Sequence, residues 1–133
     1  MVQISGKYEL QSNENFVAYL KGLGSEVSDE LAKTIDALKP ILEVTVDGNN
    51  FSLITNVGSS SNFTLGTEFE DEILSGVKVK SVATLNGNVL KIESISSDNR
   101  KGLREYTFGE TDLVITYSGG ASNVVAKRVY ARI

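Results

Sequence analysis

The chain has 133 residues but no cysteine, no histidine and only one proline. Without cysteine it can form no disulfide, no thiolate nucleophile and no thiolate metal site, and it suits a reducing compartment. Without histidine it also lacks the commonest general acid, general base and metal ligand. Any chemistry would fall to carboxylates, lysine, serine or tyrosine, so we expect no enzyme, no metal and no cofactor. No apolar stretch approaches the length of a membrane span. The amino end, MVQISGKYEL, is polar from position 3 onward and has no stretch of signal-peptide length, so a cytoplasmic protein is expected. A basic stripe is missing as well. Thirteen Lys and Arg face 17 Asp and Glu for a net charge of −4, which argues against nucleic acid as a partner.

What is present fits a single domain over residues 1–133, long enough to enclose a core or a small ligand. Hydrophobic residues at 41%, charged residues at 23% and 12 glycines suit a globular chain rich in turns. After a first strand at 6–12 comes ENFVAYLKGLG, where Phe16, Tyr19, Leu20 and Leu23 follow the i, i+3, i+4, i+7 spacing of an amphipathic helix that Gly24 can end. VSDELAKTIDALKP repeats the design. Ser28 is the candidate N-cap, Asp29 and Glu30 fill the first turn, Leu31, Ile35 and Leu38 share a face, and Pro40 marks the stop. Neither helix is long enough to stand alone. From residue 41 the period becomes two. Strands are predicted near 42–47, 51–57, 62–67, 68–72, 77–85, 89–96, 102–108, 112–118 and 123–133, separated by turn-forming stretches such as DGNN, NGN and SGGASN.

About ten short strands joined by hairpins argue an all-β antiparallel up-and-down meander, and a closed barrel is the economical way to hide its edges. The helical pair, at about 15–39, lies between the first two strands. In VKVKSVATL one face carries Val77, Val79, Ser81, Ala83 and Leu85, a mixture of apolar groups and a hydroxyl that suits a hydrated ligand cavity. Alternation puts Arg104 with Gly102 and Tyr106, and Arg128 with Tyr130, but does not say which faces point inward. Outward, these are surface charges. Inward, two guanidiniums and a phenol make a site for a ligand carboxylate, because arginine supplies paired donors and a fixed charge.

GKYELQSNENFVAYLKGLG, the helix pair, NFTLGTEFEDE, VKVKSVATLNG and KRVYARI together resemble the intracellular lipid-binding protein family, which includes the fatty-acid-binding and cellular retinoid-binding proteins. The resemblance spans almost the whole chain. It implies a ten-stranded lipocalin-like (calycin) barrel, the β-clam, with a helix-turn-helix lid and an amphiphilic ligand inside. The family's carboxylate signature is an inward Arg on the eighth strand and an Arg-x-Tyr pair on the last. It falls on Arg104 in LREY and on Arg128 and Tyr130 in KRVY. Relatives that carry retinol or retinal replace one or both arginines by Gln, so a carboxylate is the expected ligand here. FTLGTEF and KRVYARI also resemble the liver and ileal branch, which takes bulkier ligands or two fatty acids, although that branch often lacks the tyrosine kept here.

The resulting expectation is a monomeric carrier of a long-chain fatty acid, with a bile acid or retinoic acid as alternative cargo. A hydrophobic-substrate enzyme and a filled protein-interaction barrel are the competing classes. Phe16, Tyr19, Leu23, Leu31, Ile35, Val57, Ser81, Tyr106 and Tyr117 are the candidate cavity or portal residues. The face of the first helix packs on the barrel rim, and its second use would be transient contact with membranes, aided by Lys21, Lys33 and Lys39. The acidic run EFEDE reads as a solvated strand end. Lys78, Lys80 and Lys91 read as outward charges, and SGGAS has none of the spacing of a phosphate loop.

Overall fold

The computed structural model describes residues 4–21, 28–56, 60–74, 77–96, 101–119 and 125–133. Among these residues, ten strands and two helices run in the order β1 (Gly6–Glu14), α1 (Phe16–Lys21), α2 (Asp29–Ala37), β2 (Ile41–Asp47), β3 (Asn50–Thr55), β4 (Ser60–Thr64), β5 (Phe69–Leu74), β6 (Val77–Asn86), β7 (Val89–Ser96), β8 (Lys101–Phe108), β9 (Asp112–Gly119) and β10 (Ala126–Arg132). Every pairing is antiparallel, and the sheet order is β4-β3-β2-β1-β10-β9-β8-β7-β6-β5. The first strand therefore pairs with the last, and the meander curls into a nearly closed barrel. This is the expected fold, with the helix pair between β1 and β2.

The remaining seam, between β4 and β5, is bridged by side chains. The rings of Phe63 and Phe69 stack at 4.8 Å, and the Ser61 hydroxyl donates to Asp71 Oδ1 at 2.8 Å. Turns at residues 48–49 and 87–88, and the bend at 110–111, gather at one end of the barrel. Gly48 and Gly87 adopt φ of +61° and +63° there, conformations that a residue with a Cβ takes at a cost. Above these turns lies an apolar floor, where Tyr8, Phe108 and Leu113 are wholly buried and Tyr8 packs on Phe108 at 6.0 Å.

The helices lie at the other end. Asn15, with φ +57°, breaks β1 before α1, a left-handed conformation that asparagine tolerates. Six and nine residues are too few for an isolated helix, so tertiary packing holds them. Phe16, Tyr19 and Ala32 bury against Ala126 of β10 and against Tyr117. The Ser28 carbonyl accepts from the Ala32 amide at 3.0 Å, consistent with a helix start there. α2 ends at Ala37, one residue before Leu38. Leu38 stays 39% exposed rather than joining the buried face.

The strand β4 begins earlier than the pattern predicts and stops at Thr64, because Leu65–Gly66 form a turn with Gly66 at φ +77°. Along β6, Val79, Ser81 and Ala83 are buried as one face, whereas Leu85, near the strand end, is exposed. Lys80 and Lys91 are outward.

Candidate ligand-binding site

Both arginines of the sequence analysis turn inward. Arg128 is 7% exposed and its neighbour on the same face, Tyr130, 2%. The Arg104 side chain is 13% exposed. The registry places them on adjoining walls. Arg104 pairs with Tyr117 of β9, and Tyr117 in turn pairs with Ala126, one step along the inward face from Arg128. With Tyr106 they form a polar patch inside the barrel. A filled protein-interaction barrel does not predict such a patch.

Arg128 is held in place but not satisfied. Its Nε donates to Asn13 Oδ1 at 2.9 Å, and the guanidinium lies 4.2 Å from the centre of the Phe16 ring and 5.8 Å from that of Tyr130. A cation shielded from water over an aromatic face is stabilised by roughly 0.5–2 kcal/mol. Its Nη2 is buried and has no hydrogen-bond acceptor among the described residues. Leaving a buried donor unmade costs on the order of 1–3 kcal/mol.

Asn13 reaches this position through a β-bulge. Before it, the even residues Tyr8 and Leu10 face inward. The register with β10 then shifts between Leu10 and Ser12, and Asn13 lies opposite Arg128.

Arg104 is in a different state. Its Nη2 donates to Asp71 Oδ2 at 2.6 Å, and Tyr106, two residues along the same strand face, lies within its field. Asp71 is 7% exposed, so the reading of EFEDE as a wholly solvated strand end is corrected. Alternation along β5 turns Asp71 inward while Glu70 is exposed. Burial works against the Arg104 cation, but nearby Tyr106 and Asp71 outweigh it and hold the guanidinium more firmly protonated than usual. Next to this pair, the Ser81 and Ser94 hydroxyls meet at 2.7 Å, both buried.

The tyrosines share this environment. Burial pushes Tyr130 up to about 12, against the opposing charge of Arg128. Burial likewise raises Tyr106, opposed chiefly by Arg104, and raises Tyr117 well above its ordinary value. All three are neutral hydroxyls at physiological pH. Tyr19 and Phe16 roof the patch, with Tyr117 in contact at 5.2 and 5.3 Å.

The structure thus gathers Arg104, Arg128, Tyr130, Tyr106, Tyr117, Ser81, Phe16 and Tyr19 at the barrel interior and its roof. Leu23 and Val57, and the side chains of Leu31 and Ile35 on α2, lie outside the described residues. Asn13 and Asp71 are the members that sequence reasoning missed. Among the described residues no cluster of His, Cys, Asp or Glu could hold a metal ion, and no helix is long and apolar enough to cross a membrane.

Comparison with known proteins gives a consistent picture. Residues 2–129 match the model of the lipocalin / cytosolic fatty-acid binding protein family. The liver fatty acid-binding protein of Sus scrofa is 36% identical over 135 residues, covering 99% of this chain and all of that protein. Among solved structures, a fatty acid-binding protein from Drosophila melanogaster brain is 35% identical with a TM-score of 0.80, over 94% of this chain and 95% of that one. The REP1-NXSQ fatty acid transporter reaches a TM-score of 0.86 at 26% identity, over 98% of this chain and 96% of that one.

Proposed function

Because the chain belongs to the lipocalin / cytosolic fatty-acid binding protein family, we propose that it carries a long-chain fatty acid in the barrel, with the ligand carboxylate on Arg128 and Tyr130. The observation that carries this reading is Arg128 itself, a buried guanidinium whose Nη2 lacks an acceptor among the described residues. A carboxylate would supply the missing acceptor and the counter-charge together, a charge-assisted contact stronger than a neutral one. The neutral Tyr130 hydroxyl, on the same inward face, would add a donor to the same oxygen pair. Arg104, on the next wall, is already paired with Asp71. The buried side chains of Phe108 and Leu113 offer the hydrocarbon chain an apolar surface.

The relatives named above are called fatty acid-binding proteins or transporters, which favours a fatty acid over a bile acid or retinoic acid. α1, with Phe16 and Tyr19 roofing Arg128 and Tyr117, would act as the lid that a ligand must pass. The family is described as cytosolic, in keeping with a carrier working between membranes and other proteins. Mass spectrometry of the natively purified protein tests the proposal. A co-purifying long-chain carboxylate is expected. A sterol acid in its place would move the cargo to the bile-acid class, and a protein that binds no added fluorescent fatty acid would refute the carrier reading.

A further inference from the structure

Two guanidiniums reach the polar patch of the barrel, but they are not equivalent. Arg104 is matched by a carboxylate of the protein itself, Asp71 Oδ2, at 2.6 Å, with the two side chains 13% and 5% exposed. The other oxygen of Asp71 accepts from Ser61 across the β4–β5 seam at 2.8 Å, so the carboxylate is fixed from both sides. Arg128 has no such partner among the described residues. Its Nε bonds a neutral amide, aromatic rings cover it, and Nη2 lacks an acceptor among the described residues. Among the described residues, two cations and one anion leave the patch with a single unmatched positive charge.

We infer that Asp71 sets the charge of the cargo: by occupying Arg104 it leaves only Arg128 to be neutralised, and so restricts the barrel to ligands with one carboxylate. The inference rests on the carrier reading above and assigns its selectivity. A head group with two carboxylates would place its second charge beside Asp71. It would have either to displace Asp71 from Arg104, stranding a carboxylate that is 5% exposed, or to remain unpaired inside the barrel. Both are costly in a medium that screens charge poorly. Without the Asp71 charge the same patch would present two cations and suit a dianion.

The test compares palmitate with hexadecylmalonate, which has two carboxylates at the end of a similar chain, by calorimetric titration at about pH 8. Wild-type protein is expected to prefer palmitate by about tenfold or more. Asp71→Asn should shift that preference toward hexadecylmalonate by about tenfold or more, and Asp71→Asn combined with Arg104→Gln should restore it. An Asp71→Asn protein with the wild-type preference overturns the inference, as does a double variant that keeps the preference of the single one. Should Asp71→Asn alone not fold, the double variant, in which neither partner is left unmatched, decides together with the wild type. The two must prefer palmitate to a similar extent, within about threefold, and a double variant that prefers hexadecylmalonate overturns the inference. Wild-type protein that binds neither ligand refutes the carrier reading itself, a result distinct from loss of selectivity.

Discussion

Asn13 and Arg128, 115 positions apart in the chain, meet across the β1–β10 ladder with the amide oxygen 2.9 Å from Nε. The bulge in β1 makes this contact, and an amide is the neutral choice: it orients the guanidinium without consuming its charge. Asn13→Asp would place a carboxylate of the protein where the ligand's charge is needed. We expect this variant to fold and to lose about 1.5–3 kcal/mol of oleate binding, the scale of a charge-assisted hydrogen bond. Fluorescent-probe displacement measures the loss, and oleate affinity equal to wild type would show that Arg128 does not read the ligand.

The period-two pattern after residue 41 and the short helical interval were sufficient to predict a barrel-like meander with an inserted helix pair, and the resemblance to a family made that pair a lid. Alternation grouped Arg128 with Tyr130 and Arg104 with Tyr106, but it assigns faces without saying which one is inside. The resemblance to a family supplied that direction. Asn13 was hidden because a bulge leaves no mark in a two-residue period: strict alternation from Tyr8 and Leu10 would have turned Ser12 inward instead. Asp71 was masked by its acidic neighbours. The available signal was that alternation sets it on the opposite face from Glu70 and Glu72, and a lone inward acid opposite a proposed inward arginine suggests a pair.

All five tyrosines of the chain, Tyr8, Tyr19, Tyr106, Tyr117 and Tyr130, are shifted above their ordinary value near 10, in each case chiefly by burial. A raised phenol binds its proton more tightly in the folded than in the unfolded chain. The associated stability is therefore complete below about pH 10 and lost as pH rises through the folded values, about 12 for Tyr130. Absorbance at the phenolate band should show no tyrosine titrating near its ordinary value while circular dichroism remains native. Ionisation should instead coincide with unfolding. A phenol that titrates normally in the native protein would contradict the burial described here.

Arg132 faces inward like Arg128, but at the other end of β10, and it is committed to structure. It donates to the Ser5 carbonyl at 3.0 Å and the Tyr8 hydroxyl at 2.7 Å, and it lies 4.7 Å from the Tyr8 ring centre. Gly6, at φ +153°, leaves it room, since a Cβ there would come within 2.6 Å of Nη1. Arg132→Gln is expected to cost about 1–3 kcal/mol in urea unfolding while oleate affinity stays unchanged. Loss of affinity in a protein of wild-type stability would move Arg132 into the binding site.

Whether Arg128 reads a carboxylate is decided by paired calorimetric titrations of oleate and oleyl alcohol against wild type and Arg128→Gln. The variant should lose about 1–3 kcal/mol toward oleate, with Tyr130→Phe losing less, about 0.5–1.5 kcal/mol. Oleyl alcohol carries no charge for Arg128 to match, so it should lose far less than oleate or gain. Equal losses for the acid and the alcohol would mean that Arg128 supports the fold and does not read the ligand.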